Sequence, residues 1–197
     1  MSKLFEYELH KAALILVQDM FRLKPGETFV ITADTASDQR VVHAVAAAAH
    51  TVGAIPMVIT LVSPLGVGKA ADPLLPVASL TAALSEADAW VEFNKQWLLY
   101  STPFERAMAQ NKHLRYMCLV EMTVDMMVRL IGRIDAPLLS TFMHKVVDMT
   151  QAASHMHSTT PAGNDLTFNL LPNERTVACD DGLCETPGMH FLGGQIS

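Results

Sequence analysis

The chain has 197 residues, enough for one domain with a full core and at most an appendage. Half of its residues are hydrophobic and 17% are charged, and the net charge of −6 argues against nucleic acid as a main partner. No apolar run reaches membrane-spanning length, because Lys11, Gln18 and Asp19 interrupt or bound the best candidate. Glu6, Glu8 and His10 break up any signal-peptide core, and Cys118, Cys179 and Cys184 form no disulfide framework. A cytoplasmic protein is expected. The high apolar fraction also points to interfacial surface, and so to a homo-oligomer.

Residues 4–23 read as an amphipathic helix. Leu9, Ala13, Leu16, Val17 and Met20 recur at helical spacing, with Lys11 and Asp19 off that stripe. Lys24-Pro25-Gly26-Glu27 stops it. Residues 28–33 (TFVITA) form a β-rich run, expected as a buried strand. A cluster of cap and turn residues, Asp34 to Asp38, leads into an alanine-rich helix over 39–52, closed by Gly53. Residues 55–62 (IPMVITLV) are the second strand. Strand, capped helix and strand make a βαβ unit, which closes right-handed with parallel strands.

A long loop follows at 63–76, then a helix at 77–86 and a third strand at 89–93 (AWVEF), ending at Asn94. The next helix, 102–111, takes Thr102 as its cap, Pro103 at its first position and Glu105 in its first turn. Residues 115–120 (RYMCLV) are the fourth strand, ending at Glu121. Helices at 123–131 and 136–153 are separated at Gly132, and 154–158 (SHMHS) is a short fifth strand. The alternation then stops, leaving turn-bounded strands at 165–171 and 176–179. The fold class is α/β: an open, mostly parallel sheet with helices on both faces over residues 1–157. Residues 158–197 make a short β-rich C-terminal extension, or a linker towards a metal-binding domain beyond this chain.

Residues 158–171 (STTPAGNDLTFNLL) read as a tight turn feeding an alternating strand, and the tail 188–197 (GMHFLGGQIS) is glycine-flanked. The pattern Thr160-x-x-Gly163-x-Asp165-Leu166-x-Phe168, with the later Gly194-Gln195 step, resembles metallopeptidase family M29. That family includes leucyl aminopeptidases and a divergent branch, the 2,5-dihydroxypyridine 5,6-dioxygenases, which are mononuclear non-haem iron enzymes. The resemblance implies that the chain corresponds to the family's N-terminal domain. It implies a parent activity dependent on a divalent metal, Fe(II) or else Zn or Co, with ligands mainly in a C-terminal domain. In the aminopeptidases the Gly-Glu step supplies a metal-ligating glutamate. Gln195 stands there, and an amide is a poor substitute for a bridging carboxylate. That favours a dioxygenase-like branch over a leucyl-type aminopeptidase. A non-catalytic small-molecule binding or oligomerisation domain is the third reading. The chain alone is expected to bind no cofactor and to be inactive, with a small molecule or peptide as the parent's substrate.

Ligands of open α/β sheets collect at the carboxyl ends of strands, where Asp34, Asn94, Tyr100, Ser101 and Glu121 fall. No glycine-rich phosphate loop follows the first strand, so a dinucleotide is not expected. Gly66-Val67-Gly68-Lys69 is not a P-loop, because Ala70 replaces the hydroxyl residue that would hold magnesium; a flexible loop is expected. The stretch 94–101 (NKQWLLYS) offers Trp97 and Tyr100 as a stacking surface for an aromatic substrate. Its Leu-Leu-x-Ser resemblance to the dioxygenase branch implies a pocket role. The alternative is a packed crossover loop with Trp97 in the core. The substrate-binding candidates are Trp97, Leu99, Tyr100, Ser101, Glu121 and Gln195, and no catalytic residue or metal ligand is assigned. Glu121 and Asp125 also suit the start of a helix. His155 and His157 could hold a metal or line a polar sheet face. Cys179, Cys184 and His190 could form a zinc loop or a surface turn with two reduced thiols. Met126, Met127, Met143 and Met149 read as adaptable packing.

Overall fold

Runs of four to seven residues, mostly apolar, become the strands of one parallel sheet, and the segments between them fold onto its two faces. The computed structural model describes residues 5–171 and 177–196. Leu4 and Thr176, where the first predicted helix and the last predicted strand begin, lie outside the described residues. In chain order, α1 (Glu6–Ile15) continues through a wider turn (Leu16–Met20) and leads to β1 (Thr28–Asp34), α2 (Gln39–Thr51) and β2 (Ile55–Leu61). A short 3-10 segment (Gly68–Leu74) precedes α3 (Val77–Ser85), β3 (Ala89–Glu92), α4 (Thr102–Gln110) and β4 (Arg115–Cys118). Then come α5 (Val124–Met127), which widens over Val128–Gly132, and α6 (Ala136–Ala152). The remaining strands are β5 (His155–Thr159), β6 (Asp165–Asn169), β7 (Cys179–Asp180), β8 (Gly188–Phe191) and β9 (Gln195–Ile196).

The main sheet has the order β2–β1–β3–β4–β8, and every neighbouring pair is parallel. β1, β3 and β4 are buried on both faces, which is why each reads as a nearly unbroken apolar run. Alternate side chains divide the core. Phe29, Ile31, Val91, Phe93 and Met117 pack with α1, α2 and α5, while Val30, Trp90 and Tyr116 pack with residues of α3 and α4. The predicted α1 stripe, Leu9, Ala13, Leu16, Val17 and Met20, is wholly buried. A Cβ on Gly132 would stand 3.0 Å from the Ala12 Cβ, so glycine lets the end of α5 approach α1. At the amino end of β4 the buried Arg115 donates to Glu27 at 2.7 Å and to the Phe21 carbonyl, tying α1's end to the sheet. No helix among the described residues is long and apolar enough to cross a membrane.

The tail departs from the expected chain order. Residues 154–158 do not extend the main sheet: β5 pairs antiparallel with β6 as a separate hairpin. The fifth strand of the main sheet is instead β8, from the glycine-flanked tail, in register with β4 from Arg115–Gly188 to Cys118–Phe191. β7 and β9 form a second small antiparallel pair. Cys184 is fully buried and its N–H donates to the Met20 carbonyl at 2.8 Å, so residues 179–190 are not a surface turn with two thiols.

Candidate functional site

The order of the sheet reverses between β1 and β3, and the segment after β3 lies across that reversal. In such sheets the crevice at the carboxyl ends of the strands is where ligands bind. Two buried carboxylates fix the segment. Asp34, at the end of β1, accepts from the N–H groups of Ala36 at 2.8 Å, Lys95 at 2.8 Å and Gln96 at 3.1 Å. Helix α2 is capped by Asp38, which accepts from the Arg40 N–H at 3.2 Å; the Arg40 guanidinium holds the Asp38 carboxyl below its usual range. Glu92, the last residue of β3, is fully buried. One of its oxygens accepts from the Leu98 N–H and the other from the Tyr116 hydroxyl. Burial pushes the Glu92 carboxyl up to about 7, against the opposing pull of these donors.

The loop over 63–76 is not free. Gly68 donates its N–H to the Trp97 carbonyl at 3.0 Å and has φ of +56°. A Cβ there would stand 3.1 Å from the Leu99 carbonyl oxygen, so the approach requires glycine. Asp72, in the same segment, accepts from the Thr102 N–H at 2.9 Å and from its hydroxyl. The cap of α4 is therefore Ser101 and not Thr102: the Ser101 hydroxyl accepts from the Phe104 N–H at 3.4 Å, while Thr102 is occupied by Asp72. Ser101 is fully buried.

Above these anchors lies a cleft of about 470 Å³. Trp97, Leu99 and Tyr100 form one wall. Cys118, Leu119 and Val120 at the end of β4, with Phe191 and Leu192 at the end of β8, form another. Met122, Met126 and Leu130 close it. The lining is almost wholly apolar, as binding clefts for flat organic molecules are. Trp97 is 41% exposed and Tyr100 55%, so Trp97 is not in the core; Leu98 is the buried residue of that stretch. The Tyr100 ring meets Phe104 edge-on at 6.0 Å.

Two residues at the cleft hold left-handed backbone, Tyr100 with φ of +64° and Glu121 with φ of +57°. Each costs on the order of 1–3 kcal/mol and persists only where its surroundings enforce it. The Glu121 N–H donates to the Asn94 carbonyl at 3.1 Å, and its carboxylate pairs with the Lys95 ammonium at 2.9 Å. The Asn94 side chain is fully buried, and neither of its amide atoms has a hydrogen-bond partner among the described residues. Burial and the nearby Glu92 push the Cys118 thiol up to about 11, so it faces the cleft protonated and is no nucleophile.

The structure thus brings Trp97, Leu99 and Tyr100 into one cleft, puts Glu121 between two lining residues, and sets Ser101 behind them as a cap. Gln195 lies in β9, opposite Asp180 of β7. His157 pairs with Asp165 at 2.7 Å on the hairpin, His155 contacts Ser154, and His190 contacts the Thr186 carbonyl. Among the described residues no three His, Cys, Asp or Glu side chains form a group able to hold a metal ion. Sequence reasoning missed Glu92 and Phe191. A glutamate inside an apolar run that is buried on both faces was the available signal for the first.

A family model described as NicX, 2,5-dihydroxypyridine 5,6-dioxygenase, matches residues 12–195. No curated protein sequence matches the chain. Among solved structures, the fold is similar to that of 2,5-dihydroxypyridine dioxygenase from Pseudomonas putida KT2440, with a TM-score of 0.70 and 17% identity, over 95% of this chain and 54% of that one. It is also similar to wild-type AmpT from Thermus thermophilus, with a TM-score of 0.56 and 15% identity, over 84% of this chain and 54% of that one. At these identities the likeness is one of fold. The chain spans about half the length of both.

Proposed function

This chain belongs to the NicX family, matched over residues 12–195, and from that premise we propose that it supplies the ring-binding wall of a dioxygenase-like, ring-cleaving enzyme. The observation that carries the reading is the apolar cleft at the carboxyl ends of β4 and β8, with Trp97 and Tyr100 along one side. A flat heteroaromatic ring gains stacking and burial there, about 0.5–1.5 kcal/mol per aromatic contact beyond the area term. The Tyr100 hydroxyl offers a donor or acceptor to a ring substituent. The Lys95–Glu121 pair offers one charge of each sign beside the cleft.

Among the described residues no group of His, Cys, Asp and Glu side chains forms a ligand set for the divalent metal that such chemistry uses. We propose that Fe(II), or Zn or Co in an aminopeptidase-like relative, is held mainly by the part of the parent enzyme that this chain does not span. The 197-residue chain alone then binds the ring without cleaving it. The leucyl-type aminopeptidase reading has the fold likeness to AmpT in its favour; the aromatic cleft and the family match favour the ring. We also propose self-association through apolar surface on α6 and the β5–β6 hairpin, where Leu138, Phe142, Met149, Leu166 and Phe168 are exposed.

Calorimetric titration tests the function. 2,5-Dihydroxypyridine is expected to bind saturably, and leucinamide is not. Met126→Arg, which puts a charge into the cleft, is expected to abolish ring binding. Saturable leucinamide binding with no ring binding would favour the aminopeptidase reading. Oxygen uptake with ferrous iron and 2,5-dihydroxypyridine by this chain alone would overturn the proposed inactivity.

A further inference from the structure

Glu92 does not line the cleft, yet it holds the wall that does. One carboxylate oxygen accepts from the Leu98 N–H, between Trp97 and Leu99, and the other accepts from the Tyr116 hydroxyl. The same short segment is closed by the Ser101 N–H on the Leu98 carbonyl at 2.8 Å and by the Gly68 N–H on the Trp97 carbonyl at 3.0 Å. It ends at Tyr100, in a left-handed conformation that needs enforcement. Beneath it, Trp90 donates to the Thr32 hydroxyl at 2.9 Å, and its ring meets that of Tyr116 at a tilt of 44° with 4.3 Å between centroids.

We propose that Glu92 is a positioning residue for the aromatic wall of the cleft, clamping the 94–101 segment more tightly when its carboxyl is ionised. A carboxylate accepts charge-assisted hydrogen bonds from the Leu98 amide and the Tyr116 hydroxyl together. The neutral acid accepts from Leu98 more weakly and must turn its own proton toward the Tyr116 oxygen. The groups facing Glu92 are Asp34 from β1 and Tyr116 and Cys118 from β4; Lys95 of the clamped segment is paired with Glu121. The buried setting above all, and Asp34 to a lesser degree, oppose ionisation, while Tyr116, Leu98 and Leu99 favour it, so the balance is set near neutral pH. This deepens the proposed function, since the wall is the surface on which that reading places the ring.

The test reads the free chain first. Acrylamide quenching of Trp97, taken as the difference from Trp97→Phe to remove the Trp90 signal, is followed from about pH 5.5 to about 8.5. Quenching is expected to fall by about twofold with a midpoint near 7, as the clamp tightens. Glu92→Gln is expected to abolish the transition. Tyr116→Phe removes a donor that favours the ionised form, and is expected to move the midpoint to higher pH; it also carries the test if Glu92→Gln does not fold. A flat profile in the unmodified chain, or an unchanged midpoint in the variants, overturns the proposal. 2-Pyridone, neutral across this range, is then titrated. Its affinity is expected to rise about threefold through the same midpoint. A Trp97 transition without 2-pyridone binding would remove the ring reading and leave the clamp. Binding without the transition would remove the clamp alone.

Discussion

The carboxyl end of the main sheet and the arm made by α6 and the β5–β6 hairpin are built on opposite plans. At the sheet end, buried carboxylates from β1 and β3 take up the backbone N–H groups of the loop that follows, and the side chains beneath are wholly enclosed. In α6, a helix of 17 residues, only Met143 and Val147 are buried, and Leu138, Phe142 and Met149 are each about two-thirds exposed. All five residues of β6 are exposed, and its register with β5 rests on strand hydrogen bonds and the His157–Asp165 contact. The first region completes its packing within the chain and can hold strain at Tyr100 and Glu121. The second leaves apolar surface exposed among the described residues, which is the basis of the proposed self-association.

Four changes sharpen or break that contrast. Trp90→Ala removes a fully buried ring and its bond to Thr32, and is expected to cost about 3–5 kcal/mol by denaturant unfolding. Glu92→Gln acts through pH. The Glu92 carboxyl holds its proton up to about 7 in the fold, against 4.5 as its ordinary value, so between those values the folded state binds more protons than the unfolded state. Stability is therefore highest below about pH 4.5 as far as this group is concerned. It falls as pH rises and levels off above about 7, a loss of about 3 kcal/mol. The amide cannot ionise, so thermal melts of Glu92→Gln are expected to lack this fall.

Glu121→Gly is expected to raise stability by about 1 kcal/mol, since glycine relieves the left-handed backbone and the exposed pair with Lys95 contributes little. A loss of stability instead would show that the strain is not stored at this position. Phe168→Ser on the hairpin is expected to change stability by less than about 0.5 kcal/mol while weakening self-association in sedimentation. A cost approaching that of Trp90→Ala would abolish the distinction between the two regions.

The readable parts of the fold share a cause. β1 and β3 are apolar runs closed by cap residues, and the α1 and α2 stripes follow helical spacing, so local pattern and tertiary burial agree. β8 was not readable as a sheet strand. Gly188-Met189-His190-Phe191 has no β-branched residue, and its place comes from pairing with β4. The cleft was half readable. Trp97 and Tyr100 stand out as aromatics after a strand end, whereas Phe191 reaches the site only through that long-range pairing. Cys184 reads as a turn residue because its burial depends on the distant end of α1. Asp34 reads as one of several capping residues, because its partners, Lys95 and Gln96, are some sixty positions away.

Chemical-shift mapping of 2,5-dihydroxypyridine on the isotopically labelled chain tests the central claim most directly. The account requires perturbations at the Trp97 indole, the Leu99 and Met126 methyl groups and the Phe191 amide, with Phe142 and Phe168 unmoved. Perturbations confined to α6 and the hairpin, or none at saturating ligand, would contradict it.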